Sequence, residues 1–218
     1  MKKRLVIALF LLILFTTFNS QQKFIISHFD LKTIEIENNL LLKDNDIKNL
    51  LISFYNKNLV LLNNNEVKNA LMQNSLIESF KIKKKYPNTL KVKIFEKKPI
   101  AVLFDKKNKF YLSEKIDLIE FKNLPNYQNL PYVLGNKDDF KVFYNNLIKI
   151  NFPLNVVKKY TLYETDRWDI ETKNDQIIKL PSKNYLKSLK NFLILKSKND
   201  FEKYKLFDYR INKQLILR

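Results

Sequence analysis

The chain has 218 residues, 45% of them hydrophobic, and a formal net charge of +18. It holds no cysteine, one histidine and one glycine, which excludes disulfides, thiolate metal sites, a thiol nucleophile and any glycine-rich phosphate loop. The basic excess reads as a lysine-rich solvated surface rather than a nucleic-acid site, because such sites favour arginine and only Arg4, Arg167, Arg210 and Arg218 are present.

Met1-Lys2-Lys3-Arg4 precedes the uninterrupted apolar run LVIALFLLILFTTF, Leu5 to Phe18. Cations before such a run mark a secretory signal or a signal anchor, with the N-terminus in the cytoplasm and the remainder outside. Small residues at −3 and −1 are poorly supplied, since the pairs are Phe18/Ser20, Thr17/Asn19 and Thr16/Phe18. The reading is an uncleaved anchor; the alternative is a cleaved signal.

Leu31 to Glu37 alternates apolar and polar, the period of a half-buried strand that Asn38-Asn39 ends. Asp44 or Asp46 is expected to cap a helix to about Tyr55, and Asn63 to Asn65 a second helix burying Val67 and Leu71. Ile77 to Lys84 and Leu90 to Phe95 form a hairpin across Tyr86-Pro87-Asn88-Thr89, with Asn88 suited to a left-handed turn. Strand, helix, helix, strand, strand is an α+β arrangement. Glycine is scarce, so asparagine and aspartate must supply the turns, at Asn38-Asn39, Asn63-Asn64-Asn65 and Asn145-Asn146 among others.

Pro99 is expected to stop the ladder, and Ile100 to Leu103 to begin a second region. Phe110 to Leu112, Leu118-Ile119 and Leu130 to Gly135 read as short strands. Asp138 or Asp139 is expected to cap a helix to about Ile150 with Phe140, Phe143, Leu147 and Ile148 on its apolar face. Val156 to Tyr163, Trp168 to Glu171 and Gln176 to Leu180 are strands, the last two joined by Asn174-Asp175. Pro181-Ser182 is expected to open a second helix, and Tyr204 to Ile211 and Leu215 to Leu217 to close the chain around Asn212-Lys213. This half is β-rich with two helices.

No catalytic, cofactor-binding or metal-binding constellation is found. His28 stands without a serine–acid pattern, and HExxH is absent. Asp138-Asp139 reads as a helix cap, and the pair Asp166/Asp169 as surface charge.

Five segments together carry a resemblance: FDLKTIEIENN (29–39), SLIESFKIKKKYPNTLKVKIFEKKPIAVL (75–103), LPYVLG (130–135), RWDIETKNDQIIKLP (167–181) and DYRINKQLILR (208–218). In this order, behind an N-terminal anchor, they resemble the FtsQ/DivIB bacterial cell-division proteins. The family often has glycine where this chain has Asn38-Asn39 and Asp175, residues that tolerate the same turn.

The resemblance implies an α+β fold in three parts: a cytoplasmic stub and transmembrane signal anchor over 1–22, a POTRA domain (β-α-α-β-β) over 23–98, and an FtsQ-type β domain over 99–218. It implies no enzyme and no cofactor, but a single-pass inner-membrane scaffold, largely periplasmic and enriched at the septum. Its partners would be FtsB/FtsL-type proteins and the septal peptidoglycan synthase complex. A partner segment would add a strand at the C-terminal β edge, which points to Tyr209, Arg210, Ile211 and Leu215 with Arg167 and Trp168 nearby. Neither a nucleic acid nor a small-molecule substrate is expected. The alternative is a POTRA-containing factor in outer-membrane assembly or secretion.

Overall fold

The computed structural model describes residues 2–16, 28–198, 201, 203–211 and 214–218. Helix α1, Lys2–Thr16, has 15 residues. Among the described residues no helix is long and apolar enough to cross a membrane, so the expected transmembrane helix is not found there; residues 17–22 of it lie outside the described residues. The chain divides into two compact units, Met1–Glu96 and Lys97–Arg218.

In the first unit β1 (Thr33–Glu37), α2 (Asp44–Leu50), α3 (Asn64–Leu71), β2 (Ile77–Lys85) and β3 (Thr89–Glu96) follow in order. The sheet order is β1-β3-β2, with β1 parallel and β2 antiparallel to the central β3. One face buries Ile34, Leu90, Val92 and Ile94, while the helices bury Ile47, Val67 and Leu71. Asn38 takes φ 64° and its side-chain amide donates to the Ile94 carbonyl at 2.8 Å. The Glu96 carboxylate closes the following loop by accepting from the backbone N–H groups of Leu40, Leu41 and Leu42 at 3.1, 2.7 and 2.8 Å.

Local expectations are corrected at three points here. Lys43, not Asp44 or Asp46, occupies the cap of α2, and both acids sit in the first turn, where the helix dipole favours them. Asn63 caps α3 as expected, accepting from the Asn65 N–H. The hairpin turn has a cis Tyr86–Pro87 bond, and Asn88 is not left-handed. Its carbonyl instead accepts from Lys32 and Thr33, which fixes it against the start of β1. Pro99 does not end a ladder. It starts β4, opposite Ser113 at a register shift, a position where its missing N–H costs least.

The second unit carries β4 (Pro99–Asp105), β5 (Asn108–Ser113), β6 (Leu118–Glu120), β7 (Tyr132–Leu134), α4 (Lys137–Lys149), β8 (Val157–Tyr163), β9 (Arg167–Thr172), β10 (Ile177–Lys179), α5 (Tyr185–Lys196), β11 (Leu206–Asp208) and β12 (Ile216–Leu217). They form a nine-stranded sheet in the order β12-β11-β10-β9-β8-β7-β4-β5-β6. Leu103, Val133, Tyr160, Ile170, Ile178 and Phe207 share a cluster with Phe140, Phe143 and Leu147 of α4 and Leu189 and Phe192 of α5. Trp168 stacks on Phe143 at 4.6 Å between ring centres.

The α4 cap is Asn136, which accepts from the Asp139 N–H, while Asp138 and Asp139 fill the first turn. Asn145-Asn146 lies inside that helix rather than in a turn. Ile148 is 48% exposed, because it falls at the margin of the stripe set by Phe140, Phe143 and Leu147. Helix α5 starts at Tyr185, later than Pro181-Ser182, since its cap Asn184 is left-handed at φ 58°. Gly135 is required by close approach: a Cβ there would meet the Leu162 Cβ at 2.9 Å and Trp168 at 3.4 Å.

Candidate partner-binding edge

β12 ends the nine-stranded sheet. It pairs only with β11, through Phe207↔Leu217 and Asp208↔Ile216. Among the described residues its outer side has no backbone partner, which leaves a ladder open to another strand. Asn212-Lys213, in the turn before it, lies outside the described residues.

The six residues expected here divide by burial. Arg210 and Ile211 are exposed in the turn between β11 and β12. Leu215 is partly buried, packed against the core. Tyr209 is 7% exposed. Its hydroxyl bonds the Asn191 side chain of α5 at 3.0 Å and its N–H the Lys179 carbonyl. Burial pushes that phenol up to about 12. Trp168 is a core residue at 6% exposure. Tyr209 and Trp168 therefore support the edge from beneath.

Above them lies a charge ladder that sequence reasoning did not assemble. The register sets Lys179 beside Asp169 on β9 and beside Asp208 on β11, so all three side chains share the face away from the helices. Arg210 grips the Asp208 carboxylate with Nε, at 2.8 and 2.9 Å, and with Nη2, while its backbone N–H also bonds Oδ1. These bonds hold the Asp208 carboxyl below the usual range and raise Arg210. Arg167 pairs with Asp169 at 3.3 Å, without the alignment of a hydrogen bond, and its guanidinium lies 4.4 Å from the Tyr163 ring centre. Burial raises Asp169, although Arg167, Lys179 and Arg210 oppose the shift. Reading Asp169 as surface charge is thus corrected: it is 7% exposed, covered by the side chains around it. The signal that could have found it is the spacing of β9 and β10 around Asn174-Asp175, which sets Asp169 opposite Lys179.

A groove of about 1060 Å³ adjoins the edge, lined among others by Asn146, Lys187, Asn191, Arg210 and Leu215. Among the described residues no group of three or more His, Asp or Glu could hold a metal ion.

A family model for the FtsQ-type POTRA domain matches residues 29–97. Cell division protein FtsQ of Rickettsia bellii is 27% identical over 84% of this chain and 69% of its own length. Cell division protein DivIB of Clostridium acetobutylicum is 30% identical over 47% of this chain and 41% of its own. Over most of its length the chain is similar to FtsQ/DivIB cell division proteins. It spans only about half the length of several other Rickettsia FtsQ proteins, 55% in R. conorii. The solved extracytoplasmic domain of DivIB from Geobacillus stearothermophilus matches 50% of this chain and 98% of that domain, at 16% identity and a TM-score of 0.34.

Proposed function

We propose that this chain is a non-enzymatic scaffold of the division machinery. It is anchored in the inner membrane by its N-terminal segment, with its two units, a POTRA domain and a β domain, in the periplasm. It recruits FtsB/FtsL-type proteins by accepting a strand along β12, and through them reaches the septal peptidoglycan synthase complex.

One observation carries the reading: among the described residues β12 has no partner on its outer side, and its entering turn presents exposed Arg210 and Ile211. A partner strand would take its main-chain bonds from that edge. Arg210 is fixed by Asp208 along one side of its guanidinium and can offer its remaining N–H groups to a partner carboxylate. Arg167, over the neighbouring Asp169, would extend the same charged row.

Arg210→Glu is expected to fold as the parent does and to lose capture of FtsB-like partners from detergent-solubilised membranes. Retained capture by that variant would overturn the site. Depletion of the chain is expected to give filamentous cells; normally dividing cells with a leaking envelope would overturn the division role.

A further inference from the structure

We infer that the open face of the first unit's sheet is a docking surface for anionic phospholipid, which lays this unit against the membrane that holds the chain. This rests on the anchored reading above and adds a second attachment to it.

The face is built by register. Lys81 stands directly opposite Lys93, and Lys83 opposite Lys91, across the β2–β3 pair; Lys85 stands opposite Thr89. On the other side of β3, Glu35 neighbours Lys91 and Glu37 neighbours Lys93. Five lysines therefore share this face with two glutamates. Lys91 is paired with Glu37 at 2.7 Å and Lys85 with Glu35 at 3.3 Å. That leaves Lys81, Lys83 and Lys93 without an acidic partner among the described residues, all three of them exposed. Lys81 and Lys93 each hold their ammonium 5.8 Å from the Phe95 ring centre, so the row ends on a half-buried aromatic.

Like charges directly opposite one another weaken a sheet, and a lysine-rich composition does not require them to be stacked on one side. The opposite face of the same strands carries Leu90, Val92, Ile94 and Phe80 and meets the helices. An acidic strand added at the β2 edge would reach Lys81, Lys83 and Lys85. It would leave Lys91, Lys93 and Phe95, one strand further in, uncovered. A flat anionic surface covers them all. Lysine also suits it: a compact, mobile ammonium matches headgroups that move, where fixed carboxylates would favour arginine. Phe29, Leu31 and Lys32 are already bonded into the unit, so at most residues 17–27 separate it from α1, with a reach of no more than roughly 40 Å, and a unit tethered through α1 can lie on the bilayer.

The chain lacks cysteine, so Ser79→Cys, exposed on this face beside Phe95, takes a single fluorophore. The full chain is reconstituted into vesicles of phosphatidylcholine alone, or mixed with phosphatidylglycerol, with a quencher on a fraction of the headgroups. The expected result is quenching in the anionic vesicles that is lost in phosphatidylcholine alone and at high salt. Each lysine at an anionic surface shifts partitioning about fivefold, so Lys81→Gln/Lys83→Gln lowers the docked-to-free ratio about 25-fold. Lys106→Gln/Lys107→Gln, in the second unit, leaves it unchanged. Equal quenching in both vesicle types, or equal loss in both variants, would overturn the inference. So would an unquenched probe that responds instead to a soluble peptide of alternating glutamate and valine, which would mean that the face serves a protein strand. A chain that fails to float with phosphatidylcholine vesicles would overturn the anchored reading, and this one with it; a chain that floats with its probe unquenched overturns this one alone.

Discussion

The two units solve the same problem, a sheet with helices on one face, with different side chains. The first unit's core is aliphatic: Leu31, Ile34, Ile47, Leu51, Leu59, Leu71 and Val92 are buried, with Phe54 the one buried aromatic among its described residues. The second unit fills its core with rings, including Phe140, Phe143, Phe152, Tyr160, Trp168, Phe192 and Phe207. Their open faces differ in the same sense. Exposed lysine–glutamate pairs cross the first, while half-exposed or buried arginine–aspartate pairs hold the second at its C-terminal end. The lysine face is built of mobile charges. The arginine end is a fixed geometry over a packed aromatic layer, the site proposed for a defined partner strand.

The sharpest way to break this contrast is to remove one large side chain from each core. Phe143→Ala leaves a void beside Trp168 and is expected to cost about 3–5 kcal/mol, against about 2–5 for Leu51→Ala in the first unit. Trp168 is the only tryptophan, so its fluorescence follows the second unit during urea unfolding. Phe143→Ala is expected to move that signal strongly; a midpoint unchanged by it would contradict the stacked core. Gly135→Ala forces Leu162 to shift and is expected to cost about 1–3 kcal/mol by the same measurement.

Next comes the Glu96 clasp in the first unit. Glu96→Ala leaves three loop N–H groups without their acceptor and is expected to cost about 1–3 kcal/mol. Hydrogen exchange at Leu40, Leu41 and Leu42 should speed up while the amides of β3 stay protected. Unaltered exchange at the three would contradict the clasp.

The pH dependence separates the two acids of the arginine end. Asp208 is lowered in the folded protein by Arg210, so its contribution is full above its unfolded pKa and lost as pH falls through the folded value. Asp169 is raised, chiefly by burial, so its ionisation opposes folding as pH rises through the carboxylate range, near 3.9 for a free aspartate. Urea midpoints over that range are expected to lose acid sensitivity in Asp208→Asn and to gain it in Asp169→Asn. The same slope in both variants would contradict the ladder. The smallest effect belongs to the exposed Lys85–Glu35 pair, where Glu35→Gln is expected to change stability by no more than about 0.5 kcal/mol.

Much of this was legible in the residues. The 31–37 alternation gave β1, and the substitution of asparagine and aspartate for glycine is seen at Asn38 and Asp175, both left-handed. Phe140, Phe143 and Leu147 marked the buried stripe of α4 because their spacing fits one helical face. Caps were less legible. Asn136 and Asp138 are both good cap residues, and only the backbone path shows which one precedes the helix. The candidate edge was readable as a segment but not as a surface. Tyr209 looked like a contact residue, and its burial depends on Asn191, 18 positions earlier on α5. Asp169, Lys179 and Asp208 meet only through strand register, which a linear reading of separate segments does not supply.

The central claim is that β12 receives a partner strand, and hydrogen exchange on its backbone tests it most directly. Adding an FtsB/FtsL-type partner should slow exchange at Leu217, whose N–H faces away from β11, in the parent chain and leave it unaffected in Arg210→Glu. Fast exchange at this amide while the partner is bound would place the contact elsewhere and contradict the account.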